Sequence, residues 1–277
     1  MLDRVLLPVE FSEASMMMFD CAIELKDLGM KHLTLLHVVP KGQKSPREYE
    51  GKFQEMERRL EAAGIDSRPM ILEGDPVEVI LKEAEKEGVD MIAMASGGKG
   101  RAEEFFVGSV SFAVLRRTKK PVLLDKFPMM QEGGVRKECR SGMHLFRNAL
   151  VAVDIPMCSS SLEELVTTLC SRGLKEATLL HVVDSYRYKM SDDERFRSTK
   201  RMLEEMSERI GQGGCKISTH LHYGTAPYNI LETAREIDAS VIIVGTKQKS
   251  YLAGLTIGSV SEEVVRRANL PVLVVPC

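Results

Sequence analysis

The sequence predicts an α/β fold made of two tandem, doubly wound domains. Each domain is expected to hold a mostly parallel five-stranded sheet with helices on both faces. Three observations lead to this prediction: a long-range internal repeat, five short apolar runs in each half, and helical patterns between those runs. Strands that alternate with helices form βαβ units, in which the strands run parallel and the helices cover the sheet.

The repeat indicates that the two halves are copies of one domain. The segment 34–39 reads Thr-Leu-Leu-His-Val-Val, and 178–183 repeats it letter for letter. The segment 108–111, Gly-Ser-Val-Ser, recurs at 258–261. Solenoid repeats have units of only about 20–50 residues, whereas these copies lie about half the chain apart. The repeat therefore indicates a duplicated domain.

The domain boundaries follow from the same comparison. We expect the first domain at 1–125, a linker at 126–147 and the second domain at 148–277. The linker segment has no counterpart in the other half, and it contains Gly133-Gly134, Ser141-Gly142 and mixed charge, as a connecting segment does. Each copy is close to the common size of a domain and can bury its own core.

The elements of the first copy follow from its apolar runs and helix caps. Strands are predicted at 5–9, 33–39, 68–72, 91–95 and 122–124. Ser12 can cap a helix that ends at Gly29, and Asp75 can cap another, with Pro76 in its first turn and Glu78 three residues after the cap. Phe53, Met56 and Leu60 lie at helical spacing, and a last helix starts at Ser109.

The second copy repeats this order. Its strands are predicted at 149–153, 178–183, 217–222, 241–244 and 272–275. In parallel sheets of this kind, ligands bind at the carboxyl ends of the strands, where the strand order switches. The loops after strands one, two and four are therefore the candidate functional loops.

Composition excludes several classes of function. The formal net charge is -2, Trp is absent and aromatic residues make up 5% of the chain, which argues against a nucleic-acid or membrane partner. No signal peptide and no apolar stretch of about 20 residues is seen, so we expect a cytoplasmic protein. The six cysteines show no metal-binding spacing and are expected to be free thiols in a reducing compartment: Cys21, Cys139, Cys158, Cys170, Cys215 and Cys277.

A Gly-Ser step opens the last helix of each copy. Free N–H groups at a helix N-terminus favour a phosphate, and glycine permits its close approach. The alternative is an ordinary helix cap. In the second copy, Ser259 and Glu262 could form a capping box that satisfies the helix without a ligand, whereas the first copy has Phe112 at the matching position.

Both halves resemble the universal stress protein family over nearly the whole chain outside the linker. The resemblance rests on the Pro-x-acid step after strand one, the His-Val step after strand two, and the glycine spacing that ends in Gly-Ser. Each half departs from the nucleotide-binding pattern. The first has Ala95 for the first glycine and Glu10 for aspartate, while the second has Gln248 for the second glycine. The first half therefore suits a phosphate better, and the second suits the sugar and base better.

The resemblance implies a set of nucleotide-binding residues in each half. In the first half they are Pro8, Glu10, Val38, Met94, Gly98, Gly108, Ser109 and Val110. In the second half they are Asp154, Val182, Gly245, Thr246, Gly258, Ser259 and Val260. Four basic residues either approach the phosphates or remain solvated: Lys99, Arg101, Lys247 and Lys249.

Three hypotheses about function remain open at this stage. The leading one is a stress-response or signalling module that binds ATP or AMP, with Mg²⁺ accompanying ATP. The second is a nucleotide-free interaction scaffold that dimerises, and the third is a weak ATPase. No P-loop and no catalytic or metal-ligand constellation is found, and His37 and His181 are interpreted as structural. Pairing of the two last strands, at 122–124 and 272–275, predicts an intramolecular pseudo-dimer, and a homodimer is also expected.

Overall fold

The chain forms two compact α/β units, Met1–Gly142 and Met143–Cys277. The computed structural model describes residues 2–42, 47–96, 107–127, 145–155, 159–183, 193–246 and 257–277. In that part of the chain, the predicted class of fold is confirmed for both units.

The first unit alternates strands with helices along the chain. Its strands are β1 (Arg4–Pro8), β2 (His32–Val39), β3 (Asp66–Glu73), β4 (Met91–Ala95) and β5 (Val122–Asp125). Its helices are α1 (Glu13–Ile23), α2 (Arg47–Ala62), α3 (Pro76–Lys86) and α4 (Ser109–Arg117).

The second unit repeats the pattern. Its strands are β6 (Asn148–Ala152), β7 (Glu176–Val183), β8 (Lys216–Tyr223), β9 (Val241–Thr246) and β10 (Val272–Pro276). Its helices are α5 (Ser159–Ser171), α6 (Asp193–Gly211), α7 (Ala226–Glu236) and α8 (Ser259–Arg267).

The strand order places a switch point in the middle of each sheet. The order is β3-β2-β1-β4-β5 in the first unit and β8-β7-β6-β9-β10 in the second. The registered pairs within each unit are parallel. The chain moves outward from β1 to β3 and then returns to the other side of β1, so a crevice opens between β1 and β4. The same argument places a crevice between β6 and β9.

The central strands are buried because helices cover both of their faces. Leu6, Leu7 and Ile92 are completely buried in the first sheet, as are Leu150 and Ile243 in the second. Such strands show near-continuous apolar runs. β3 and β8 lie at one end of the strand order of their units and are only half-buried. Their sequences are therefore less apolar than those of the central strands.

The first helix is shorter than its sequence pattern indicates. Ser12 caps α1 as predicted and accepts a hydrogen bond from the backbone N–H of Ser15. The α-helix ends at Ile23, however, and a 3₁₀ helix covers Glu24–Leu28 before the chain turns at Gly29. Gly29 has φ 91°, a left-handed conformation that glycine adopts without steric cost.

The prediction of free thiols is wrong for the cysteines that the structure describes. Cys170 at the end of α5 and Cys215 before β8 form a disulfide, with their Cα atoms 5.1 Å apart. Cys21 and Cys277 are disulfide-bonded as well. Folding brings together residues 45 positions apart, which spacing along the sequence does not reveal. The inference of a reducing compartment from cysteine usage therefore loses its support.

Candidate functional site

The first loop of each unit is bonded to the neighbouring strand at the carboxyl edge. Pro8 pairs with Leu36 in the sheet register, and the N–H of Val9 donates to the carbonyl of Leu36 over 2.8 Å. In the second unit, the N–H of Val153 donates to Leu180 O over the same distance. The loop after strand one thus lies beside strand two in both units.

The histidine at the end of the second strand holds this loop. His37 Nδ1 lies 2.7 Å from Val9 O, and His181 Nδ1 lies 2.8 Å from Val153 O. A carbonyl oxygen only accepts, so His37 Nδ1 donates to Val9 O. His181 Nδ1 lies between the carbonyl of Val153 and the backbone N–H of Ile155, which is 3.5 Å away. These bonds support the structural role that the sequence predicts for both histidines.

The last helix of each unit begins beside the tip of the fourth strand. Gly108 is the N-cap of α4 and Gly258 is the N-cap of α8, and neither cap has a side-chain hydrogen bond. Ser111 Oγ donates to Ala95 O over 2.9 Å, and Ser261 Oγ donates to Gly245 O over 2.7 Å. One hydroxyl therefore fixes each helix N-terminus to a strand end.

The capping-box alternative for the second unit is wrong. Glu262 Oε1 accepts a hydrogen bond from Arg266 Nε at 3.1 Å instead of turning back to the helix start. The reason is that Gly258, not Ser259, is the N-cap, so Glu262 lies one position too far into the helix. Among the described residues, only Ser261 Oγ lies within 4 Å of a Cβ built on Gly258, at 3.9 Å. The described neighbours therefore leave room at the Cβ position of Gly258.

The two helix ends differ in charge. The first turn of α4 contains no acidic residue, whereas the first turn of α8 contains Glu262. A negative side chain competes with an anion for the positive end of the helix dipole. The charge of the first unit is thus the more favourable one for a phosphate.

The predicted site residues fall into three groups by position. At the end of strands one, two and four lie Pro8, Val38, Met94, Val182, Gly245 and Thr246. In the loop after strand one lie the exposed carboxylates Glu10 and Asp154. At the start of the last helix lie Gly108, Ser109, Val110, Gly258, Ser259 and Val260. Gly98, Lys99, Arg101, Lys247, Gln248 and Lys249 lie outside the described residues.

The acidic position of the first unit has a partner within its own loop. Ser12 Oγ donates to Glu10 Oε1 over 2.9 Å. The same Ser12 caps α1, so the carboxylate is held against the start of that helix. This hydrogen bond therefore fixes the orientation of the Glu10 carboxylate.

Ser96, which directly follows β4, is not among the predicted site residues. Its side chain is 3% exposed, and its Oγ has no hydrogen-bond partner in the part of the chain that the structure describes. Buried hydroxyls normally have a partner, so an unpaired one beside a helix N-terminus is notable. The position of a serine directly after an apolar strand is the only signal that could have singled it out.

An aromatic cluster beside the first loop was also missed. Phe11 has φ 56°, an uncommon value for a residue with a large side chain. Its ring stacks on Tyr49 with 5.0 Å between centroids and meets Phe53 edge-on at 5.2 Å. His37 packs against Tyr49 at 4.4 Å. These contacts hold the loop in a conformation that the backbone alone disfavours.

A family model links this architecture to known proteins. The model of the universal stress protein family matches residues 1–126 and again 145–276. The chain belongs to the universal stress protein family. As a member of this family with two matching segments, it carries the family domain in tandem, as the internal repeat predicts.

Individual relatives agree with this assignment. A universal stress protein of Methanocaldococcus jannaschii is 30% identical over 155 residues, covering 46% of this universal stress protein and 96% of the relative. The crystal structure of a universal stress protein from Archaeoglobus fulgidus is 27% identical, with a TM-score of 0.78, and covers 99% of this chain and 98% of its own. The crystal structure of a putative universal stress protein from Pseudomonas aeruginosa is 17% identical, with a TM-score of 0.71, and the match covers 99% of this chain and 93% of that chain. At this level of identity, the similarity supports the fold alone.

Two classes of feature are absent from the described residues. None of the helices described is both long and apolar enough to cross a membrane. No group of three or more His, Cys, Asp or Glu side chains in these ranges is arranged to hold a metal ion.

Proposed function

We propose that this universal stress protein binds an adenine nucleotide, ATP or AMP, at the carboxyl edge of its sheets. The observation that carries the proposal is the glycine-capped start of α4 and α8, which has no side-chain cap in either unit. The first N–H groups of such a helix supply hydrogen-bond donors and a partial positive charge to a phosphate.

The surrounding contacts support a preformed anion site. Ser111 and Ser261 hold the two helix ends against the strand tips, so the donors are oriented before a ligand arrives. Preorganised donors give more affinity than mobile ones because less entropy is lost on binding. The choice of adenine comes from the resemblance to nucleotide-binding members of the family, which assigns the base and ribose to the loops after strands one and two.

The sites of the two units differ in what they favour. The absence of an acidic residue in the first turn of α4 favours phosphate in the first unit. In the second unit, Asp154 and Gly245 match the family pattern, while Glu262 adds negative charge near the helix start. We therefore expect the first unit to discriminate more strongly between ATP and AMP.

Substitution of the first helical residue tests the proposal without harming the fold. An acidic residue there stabilises a helix but repels a phosphate. We expect Ser109→Asp to weaken ATP binding in the first unit by about 2- to 5-fold, and Ser259→Asp to do the same in the second. Ser109→Asn and Ser259→Asn, which have nearly the same shape without the charge, are the matched controls. Isothermal titration calorimetry with ATP and with AMP measures the effect.

The alternatives give distinct outcomes in the same experiment. If the wild-type protein shows no heat of binding and no thermal shift with ATP, ADP or AMP, the nucleotide-free scaffold replaces the proposal. If the Asp and Asn variants bind ATP equally well, the phosphates do not lie at these helices. Steady release of phosphate that is lost in the Ser109→Asp and Ser259→Asp variants identifies a weak ATPase.

A further inference from the structure

Two histidines lie side by side on β8 of the second unit. His220 and His222 are two positions apart on one strand, so their side chains point to the same face of the sheet. Their ring centroids are 5.7 Å apart, and their planes are inclined by 29°. Both side chains are half-buried. The pair therefore forms one compact, partly accessible group of imidazoles.

The face that carries the pair is the one opposite α6. Tyr223 stacks on Phe196 of α6 with 5.5 Å between ring centroids and 9° between planes, which assigns the odd-numbered positions of β8 to that helix. His220 and His222 point the other way because side chains alternate along a strand. In the described ranges, the ring nitrogens of this pair have no hydrogen-bond partner.

The fold does not require histidine at these two positions. β2 and β7 carry the same six letters at 34–39 and 178–183. In the pairing with these strands, Met70 and Leu72 of the first unit occupy the positions equivalent to His220 and His222 of the second unit. Met70 and Leu72 are also half-buried, so apolar residues fill the same places without disrupting the sheet. Packing therefore does not explain the imidazoles.

We propose that His220 and His222 bind one divalent transition-metal ion of the Zn²⁺, Ni²⁺ and Cu²⁺ class. These ions prefer imidazole ligands, whereas Mg²⁺ and Ca²⁺ prefer oxygen. A metal–nitrogen distance of about 2.0–2.1 Å places the centres of two imidazoles at adjacent positions of one ion roughly 4.5–5.5 Å apart. The observed separation of 5.7 Å is close to this range, so a small rotation of the two rings brings both to one ion. Water completes the coordination, because the described residues provide no third ligand.

Copper(II) iminodiacetate is the probe that fits a two-imidazole site. The chelator occupies three positions on the copper and leaves adjacent positions for two protein nitrogens. We expect the wild-type protein to bind one equivalent with the electron paramagnetic resonance signature of two imidazole nitrogens. His220→Ala and His222→Ala should each lower the affinity more than tenfold, because a single imidazole cannot chelate.

The internal repeat provides matched variants that preserve the fold. The double change His220→Met with His222→Leu gives the second unit the residues of the first, and we expect it to abolish binding. The reciprocal change, Met70→His with Leu72→His, should create a second equivalent. His32→Ala removes a histidine elsewhere and should leave one equivalent bound.

Two results would overturn the metal site. The first is a wild-type protein that does not bind the probe at micromolar concentration. The second is binding that survives the double change at His220 and His222, which would assign the ion to other ligands. Neither result depends on nucleotide binding, so this proposal and the proposed function can fail independently.

Discussion

Serine hydroxyls near the carboxyl edge have two different roles. Those of Ser111 and Ser261 each donate to a strand carbonyl and fix a helix end. The hydroxyl of Ser96 is buried without a partner among the described residues. An unsatisfied buried polar group destabilises a protein by about 1–3 kcal/mol. Its position beside the start of α4 makes a bound nucleotide a suitable partner.

Removal of the Ser96 hydroxyl should therefore weaken nucleotide binding without lowering the stability of the fold. We expect Ser96→Ala to leave the free energy of unfolding of the ligand-free protein unchanged or to raise it by about 1 kcal/mol. The same change should weaken ATP binding by about 3- to 10-fold, because one hydrogen bond to the ligand is lost. Urea denaturation and calorimetry measure the two quantities.

Ser111→Ala is the matched control for this change. Its hydroxyl has a partner within the chain, so we expect the control to lower the free energy of unfolding by about 1 kcal/mol. A comparable loss of stability in Ser96→Ala would show that the chain itself satisfies the Ser96 hydroxyl and would contradict its assignment to the ligand.

At the level of elements, an ion pair joins the first turn of α3 to the last turn of α4. Arg117 donates to both carboxylate oxygens of Glu78, over 2.6 and 3.0 Å. The hydrogen bond from Arg117 lowers the pKa of Glu78, and the positive charge adds to the effect. The sequence places Glu78 in a capping box, but its carboxylate instead reaches the next helix. Asp75 caps α3 alone, accepting from the N–H groups of Val77 and Glu78.

The lowered pKa of Glu78 predicts a pH-dependent contribution to stability. The pair stabilises the fold above the ordinary glutamate pKa of about 4.3, and this contribution is lost as the pH falls through the lower pKa of the folded state. Arg117→Gln should raise the pKa of Glu78 toward its ordinary value, as measured by NMR titration. The difference in unfolding free energy between wild type and variant should be small, because both side chains are exposed, and should vanish in acid.

A second arginine provides the control for the titration. Arg235 pairs with Glu232 within α7 of the other unit, so Arg235→Gln should leave the pKa of Glu78 unchanged. A Glu78 pKa that stays low in Arg117→Gln would show that another group holds the carboxylate ionised.

The disulfide between Cys170 and Cys215 ties the end of α5 to the start of β8. It closes a loop with a sequence separation of 45. The loop-entropy relation gives a stabilisation of about 4 kcal/mol for a loop of this length. We therefore expect Cys215→Ser to lower the free energy of unfolding of the second unit by about 2–4 kcal/mol, measured by urea denaturation under oxidising conditions.

A double-mutant cycle tests the bond itself. Cys170→Ser should have the same effect as Cys215→Ser, and the double variant should lose little more, since either change removes the whole cross-link. Fully additive losses would mean that the two thiols contribute separately.

At the level of the whole molecule, each unit has a complete core of its own. Both sheets have buried central strands and their own covering helices. The expected linker at 126–147 stays a prediction, because 128–144 lie outside the described residues. We expect fragments 1–127 and 145–277 to fold separately, each with a cooperative urea transition followed by circular dichroism. Fragment 1–127 loses the disulfide of Cys21, which is its single cysteine.

The fragments also test the division of function between the units. Fragment 1–127 should bind ATP without the second unit, and fragment 145–277 should bind copper(II) iminodiacetate without the first. A fragment that shows no cooperative unfolding would contradict the two-domain organisation, since a domain with its own core unfolds as a unit.

The sequence alone determined the duplicated α/β architecture, the parallel sheets and the family. These features depend on local patterns: buried strands are apolar throughout, helices have caps, and a repeated segment such as 34–39 and 178–183 identifies a copy. The structural role of His37 and His181 is predicted from the lack of a nucleophile or paired carboxylate at a recognisable spacing, and their bonds to Val9 O and Val153 O agree with it.

Only the tertiary structure decided which distant groups meet. In the structure, Cys170 and Cys215 form a disulfide, and Glu78 pairs with Arg117 instead of with the start of its own helix. The Ser96 hydroxyl is buried and has no partner among the residues that the structure describes. The fold also placed the half-buried side chains of His220 and His222 next to each other on one face of β8. Contacts between residues far apart in the chain depend on how strands and helices pack. Patterns among adjacent residues in the sequence do not determine that arrangement.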